Sequence, residues 1–121
     1  MSLALFEIKL KEIEFKLEKA REAFKYNAEI VLQELKTLDP NNPRRNIFAK
    51  YDFILKESLY RIKTLTNELS IYSNHRAIIV DKNERIKRAL EMFNNLEDKV
   101  IDLLTTLQAM AIYLENLKKE L

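Results

Sequence analysis

Apolar residues recur along the first third of the chain in alternating steps of three and four: Leu3, Phe6, Leu10, Ile13, Leu17, Ala20, Phe24, then Val31 and Leu38. A seam with that spacing, sustained for about five heptads, predicts one amphipathic α-helix over about 3–38. Asn27 falls on the seam. A buried amide there would fix the register of the helix. The plainer expectation is an edge position where the amide meets water.

The periodicity stops at Asp39-Pro40-Asn41-Asn42-Pro43. Pro40 disfavours helical geometry at the residue before it. Asn42 followed by Pro43 marks a helix start, because asparagine caps well and a proline at the first helical position forfeits no needed donor. A second helix over about 43–72 then carries Phe48, Tyr51, Leu55, Ile62, Leu65, Leu69 and Tyr72, with Ser58 as its weak point. Ser73-Asn74 reads as a turn. Asp81 with Glu84 three residues on makes a capping box. It opens a third helix over about 82–121, whose seam is Ile86, Leu90, Phe93, Leu96, Val100, Leu103, Leu107, Met110, Leu114, Leu117 and Leu121. Ala77-Ile78-Ile79-Val80 between them reads either as loop or as a short fourth helical segment near 74–80. A strand there would have nothing to pair with.

Three helices of similar length with short connections imply a single all-α domain over 1–121, an elongated antiparallel up-down-up three-helix bundle. Composition narrows what such a bundle can do. The 121 residues include no glycine and no cysteine, and the only prolines are Pro40 and Pro43. Without glycine, phosphate loops and nucleophile elbows lose the positive-φ turns they depend on. Without cysteine, disulfides, thiolate nucleophiles and Cys-type zinc sites are excluded.

The lone histidine, His75, cannot build an ordinary zinc site, and no Glu-x-x-His pair exists for a di-iron bundle. Glu14, Glu18 and Glu22 are carboxylates one turn apart on the first helix, but Lys11, Lys16, Lys19, Arg21 and Lys25 surround them. Such a group reads as a solvated face. The expectation is a non-catalytic chain with no cofactor and no metal.

Net charge is +2, from 21 basic and 19 acidic residues. That small excess argues against a nucleic-acid binder. The charge is unevenly placed, however. Arg76, Lys82, Arg85, Lys87 and Arg88 concentrate in one stretch, and Pro43-Arg44-Arg45 adds a smaller cluster. Arg85 and Arg88, one turn apart, suit a phosphate or carboxylate, although pairing with Glu84 or Glu91 on a solvated face is the plainer reading. The longest uncharged run, Leu103 to Leu114, holds 12 residues, short of the ~20 a membrane helix requires. Glu7 and Lys9 interrupt the first ten residues, so no secretory leader and a cytoplasmic location are expected.

On the first helix, Ile8 and Phe15 fall opposite the seam, with Leu5 close by; on the second, Phe53 and Tyr60 do the same. The third offers Ile112, beside Glu91 and Asp98 as solvated positions. Apolar residues repeated on a back face mark a partner surface. Heptad drift along a straight helix would instead bury them. The expected function is a protein–protein interaction module, an adaptor, chaperone-like protein or assembly subunit. It would bind a second copy as a homodimer, or another protein, through Leu5, Ile8, Phe15, Phe53 and Tyr60. Two alternatives stand beside it. One is a nucleic-acid or anionic-surface binder using the basic 76–88 segment; the other is a small-molecule sensor with a pocket near Asn27, Ser58 or Ala77–Val80.

Overall fold

In a computed structural model that describes residues 3–74 and 83–119, the three seams become three α-helices. They are α1, Leu3–Thr37; α2, Arg44–Asn74; and α3, Asn83–Lys119. No strand occurs among the described residues. Side chains are described for 4–74 and 91–119. The Ala77–Val80 run, and with it the fourth helical segment expected near 74–80, lies outside the described residues apart from Asn74. Ser73 and Asn74 do not form the expected turn; they complete α2. A contact at the residue just before them explains why. The Tyr72 ring packs 5.2 Å from that of Phe93, which holds the last turn of α2 against α3. Packing of this kind overrides the weak helix propensity of serine and asparagine.

The corner between α1 and α2 is built from side chains. Asn42 N donates to Asp39 O at 2.9 Å, and Asn41 N donates to Asp39 Oδ1 at 2.9 Å. Asn42 Oδ1 accepts from Arg44 N at 3.0 Å, the cap expected of it. Arg45 reaches back across the corner, donating from Nη1 to Leu35 O at 2.7 Å and to Leu38 O at 3.4 Å. Its guanidinium thus serves carbonyls that the end of α1 leaves without intrahelical partners. No described residue has a positive φ, so this corner needs no glycine.

Cross-helix contacts set the directions. Arg21 Nη2 donates to Thr66 Oγ1 at 2.6 Å, and with the Arg45 bonds this makes α1 and α2 antiparallel. Glu68 meets Lys99 at 3.9 Å and Arg61 meets Asp102 at 3.0 Å, so α2 and α3 are antiparallel as well. Lys16 pairs with Glu97 at 3.3 Å, while Asn27 bonds to Leu107, so α1 and α3 run parallel. The topology is up-down-up. Among the described residues α1 packs at length against both neighbours, whereas α2 and α3 touch sparingly. The flanking residues supply the reason. Ala23, Ala28, Ile30 and Leu35 beside the α1 seam are apolar and half-buried. The sides that α2 and α3 turn to each other carry the charged Arg61, Glu68 and Lys99 instead.

The core is the three seams closed together. Phe6, Ile13, Leu17, Val31, Phe48, Phe93, Leu96, Val100, Leu103, Leu107 and Leu114 are essentially inaccessible, each contributing about 1.5–3 kcal/mol by burial. Phe6 and Phe93 meet edge to face at 4.8 Å. Asn27 corrects the expectation of a water-facing edge: it is 0% exposed. Its Nδ2 donates to Leu107 O at 2.9 Å, while its Oδ1 has no partner. The register joining Arg61 to Asp102 and Asn27 to Leu107 puts Ser58 at the same level of the bundle. Ser58 is itself buried and donates from Oγ to Ile54 O at 2.8 Å. The weak point of the α2 seam therefore sits where the α1 amide enters, and its small side chain leaves room for it.

Two predictions follow from this core. Asn27→Leu removes both the bond and the unpaired acceptor and should leave urea stability within about 1 kcal/mol, whereas Asn27→Asp should lose about 3 kcal/mol or more at neutral pH. Tyr72 has its phenol raised above 10.0, first by burial and second by the Glu68 charge. Below pH 10 the phenol is neutral in both folded and unfolded chains, and its contribution is complete. Above pH 10 the unfolded chain ionises first, so stability should fall, and Tyr72→Phe should make that alkaline decline less steep.

Candidate interaction surfaces

Because the seams point inward along the described length of each helix, the residues opposite them point to solvent. On α1, Leu5 is 44%, Ile8 54% and Phe15 63% exposed; on α2, Phe53 is 70% and Tyr60 71% exposed. Heptad drift has buried none of the five. Phe15 is partly shielded by its own helix, with Lys19 Nζ 5.3 Å from the ring centroid, a cation–π contact one turn away.

The five residues form two patches. Ile8 and Phe15 lie in the half of α1 that precedes Arg21, and Arg21 is level with Thr66. Phe53 precedes Thr66 on an antiparallel helix, in the half that adjoins the Asp39–Pro43 corner. The back faces of α1 and α2 also leave the bundle in different directions. One flat partner cannot cover both.

Electrostatics differ between the patches. On α1, Glu18 accepts from Arg21 at 2.9 Å and Glu22 pairs with Lys19 at 3.5 Å, so neighbouring carboxylates are taken up locally. Glu97 of α3 is more enclosed. Its Oε2 is shut off from water and has the Lys16 charge beside it, but no hydrogen bond aimed at it. On α2, Asp52 pairs with Lys56 at 3.0 Å and Arg61 with Asp102 at 3.0 Å.

Beyond the expected residues, α3 contributes Ile112 at 65% and Tyr113 at 63%, and α2 contributes Ile47 at 40%. Ile112 was legible from its place opposite the seam. Tyr113 and Ile47 were not, because each sits beside a seam, where a closed bundle would half-bury it. The spacing of α2 from α3 leaves them out.

The basic segment gives no geometry. Arg76 and Lys82 lie outside the described residues; Arg85, Lys87 and Arg88 belong to the first turns of α3, but their side chains lie outside the described set. Arg45 of the smaller basic cluster is spent on the α1 carbonyls. Of the positions expected to line a sensor pocket, Asn27 and Ser58 are packed in the core, and Ala77–Val80 lies outside the described residues. An open cleft between α1 and α2 is lined by Glu14, Leu17, Arg21, Thr66, Leu69 and Ser70. Among the described residues no helix is long and apolar enough to cross a membrane. The chain matches no protein-family model, no curated protein and no solved structure.

The contrast between patch and core is measurable. Phe53→Ala should change unfolding free energy by no more than about 0.5 kcal/mol, whereas Phe48→Ala, at 1% exposure, should cost about 3–5 kcal/mol in the same denaturant titration.

Proposed function

We propose that this chain is a non-catalytic interaction module, an adaptor or assembly subunit that binds protein through the outward apolar faces of α1 and α2. The observation that carries the reading is the exposure of Phe15, Phe53 and Tyr60, each 63% or more, on helices whose seams are otherwise closed. Large aromatic side chains held on rigid helices are costly to leave in water and supply the anchors of protein interfaces. Two patches on different sides suit a component that joins two neighbours or holds one while it assembles with another. With no described helix fit to span a bilayer, the proposed setting is the cytoplasm.

The test is association of the full-length chain, with itself or with a protein co-purifying from its source, before and after Phe15→Glu and Phe53→Glu made separately. At least one substitution should abolish association while the helical circular dichroism stays unchanged, and the wild-type association should persist as salt is raised. Binding that both variants retain, or that collapses steeply with salt, would transfer the function to the basic segment.

A further inference from the structure

The outer stripe of α2 reads, in order, Ile47, Lys50, Phe53, Ile54, Glu57 and Tyr60, with Ile54 half-buried against the core at its inner margin. It has an internal symmetry that the α1 patch lacks. Reversed about its midpoint between Phe53 and Ile54, the stripe sets Lys50 against Glu57, Phe53 against Ile54, and Ile47 against Tyr60. Lys50 and Glu57 are both exposed, and no ion pair engages either among the described residues. Their neighbours Lys56 and Arg61 are each engaged within the chain, with Asp52 and Asp102.

We infer that a second copy of this chain docks on this stripe, the two α2 helices crossing antiparallel about a twofold axis at Phe53 and Ile54. This rests on the reading of α2's outward face as an interaction surface and commits that face to self-pairing. Twofold symmetry makes each contact twice. Lys50 then meets Glu57 of the second copy on both sides of the axis, and the apolar pairs lie between and outside them.

Area supports the same occupant. Tyr60 borders a groove shared with Lys99 of α3, and Tyr113 of α3 stands on the flank turned toward α2, within the uncharged run from Leu103 to Leu114. The rings of Phe53, Tyr60 and Tyr113, each 63% or more exposed, offer about 400 Å² per copy. That is about half of the ~800 Å² per partner of a standard interface, before Ile47 is added. The α1 patch offers one ring, already under Lys19. A stripe whose unpaired charges cancel also meets its own copy without like-charge repulsion.

Charge-swap variants of the full-length chain test this by mass-resolved sizing across a dilution series. Wild type should be a dimer. Lys50→Glu and Glu57→Lys should each raise the dissociation constant at least about tenfold with unchanged helicity, because each places like charges together on both sides of the axis. Mixing the two single variants should restore a dimer, since every clash in one is complementary to the other. A single chain carrying both substitutions should do the same. A wild type that stays monomeric at every concentration would overturn self-pairing, leaving the interaction reading to an outside partner. A dimer that both single variants preserve but Phe15→Glu breaks would move the pairing to α1, and failure of the mixture to restore what the single variants lose would overturn the twofold pairing of Lys50 with Glu57.

Discussion

α1 is the element on which the other two are folded. Its stripe is broad, because small and aliphatic residues flank the seam, and so it offers one side to α2 and another to α3. The seams of α2 and α3 close against that stripe while their own facing flanks, carrying Arg61, Glu68 and Lys99, stay apart. Ion pairs between partly exposed groups of this kind contribute little stability. They mark the facing flanks of α2 and α3 as charged, where α1 offers apolar residues to both neighbours. Among the described residues the α2–α3 edge is the most sparingly packed of the three.

That asymmetry and the surface chemistry belong together. In a closed three-helix bundle, positions beside a seam are half-covered by the next helix. Where α2 and α3 stand apart, Ile47 and Tyr113 join Phe53, Tyr60 and Ile112 in solvent. The hydrophobic effect acts on that surface as it acts on the core. The proposal that the chain is an interaction module rests on this surplus of apolar surface, and a second copy is the occupant proposed for α2.

The absence of glycine finds its counterpart in the corner at Asp39–Pro43. Asn42 caps α2, Asp39 closes a turn on Asn41, and Arg45 bonds back to the α1 carbonyls, all without a positive φ. Inside the bundle, Asn27 and Ser58 share a level in which one amide oxygen is left unpaired. The unpaired oxygen costs stability that the bond from Nδ2 to Leu107 offsets. Here a fully buried side chain bonds across helices, from α1 to the α3 backbone.

Heptad spacing alone determined three helices, the all-α class and the outward direction of Leu5, Ile8, Phe15, Phe53 and Tyr60, because a period close to 3.6 assigns every residue a side of its own helix. It also placed the Asn42 cap, which depends only on neighbours in the chain. Spacing says nothing about how far one helix stands from another, or which level of one faces which level of the next. The burial of Asn27 against Leu107, the level it shares with Ser58, the capping role of Arg45, the continuation of α2 through Asn74 and the exposure of Tyr113 all depend on contacts between residues distant in sequence. Only the packed bundle decided those, because a helix knows its own faces but not which of them a neighbour will cover.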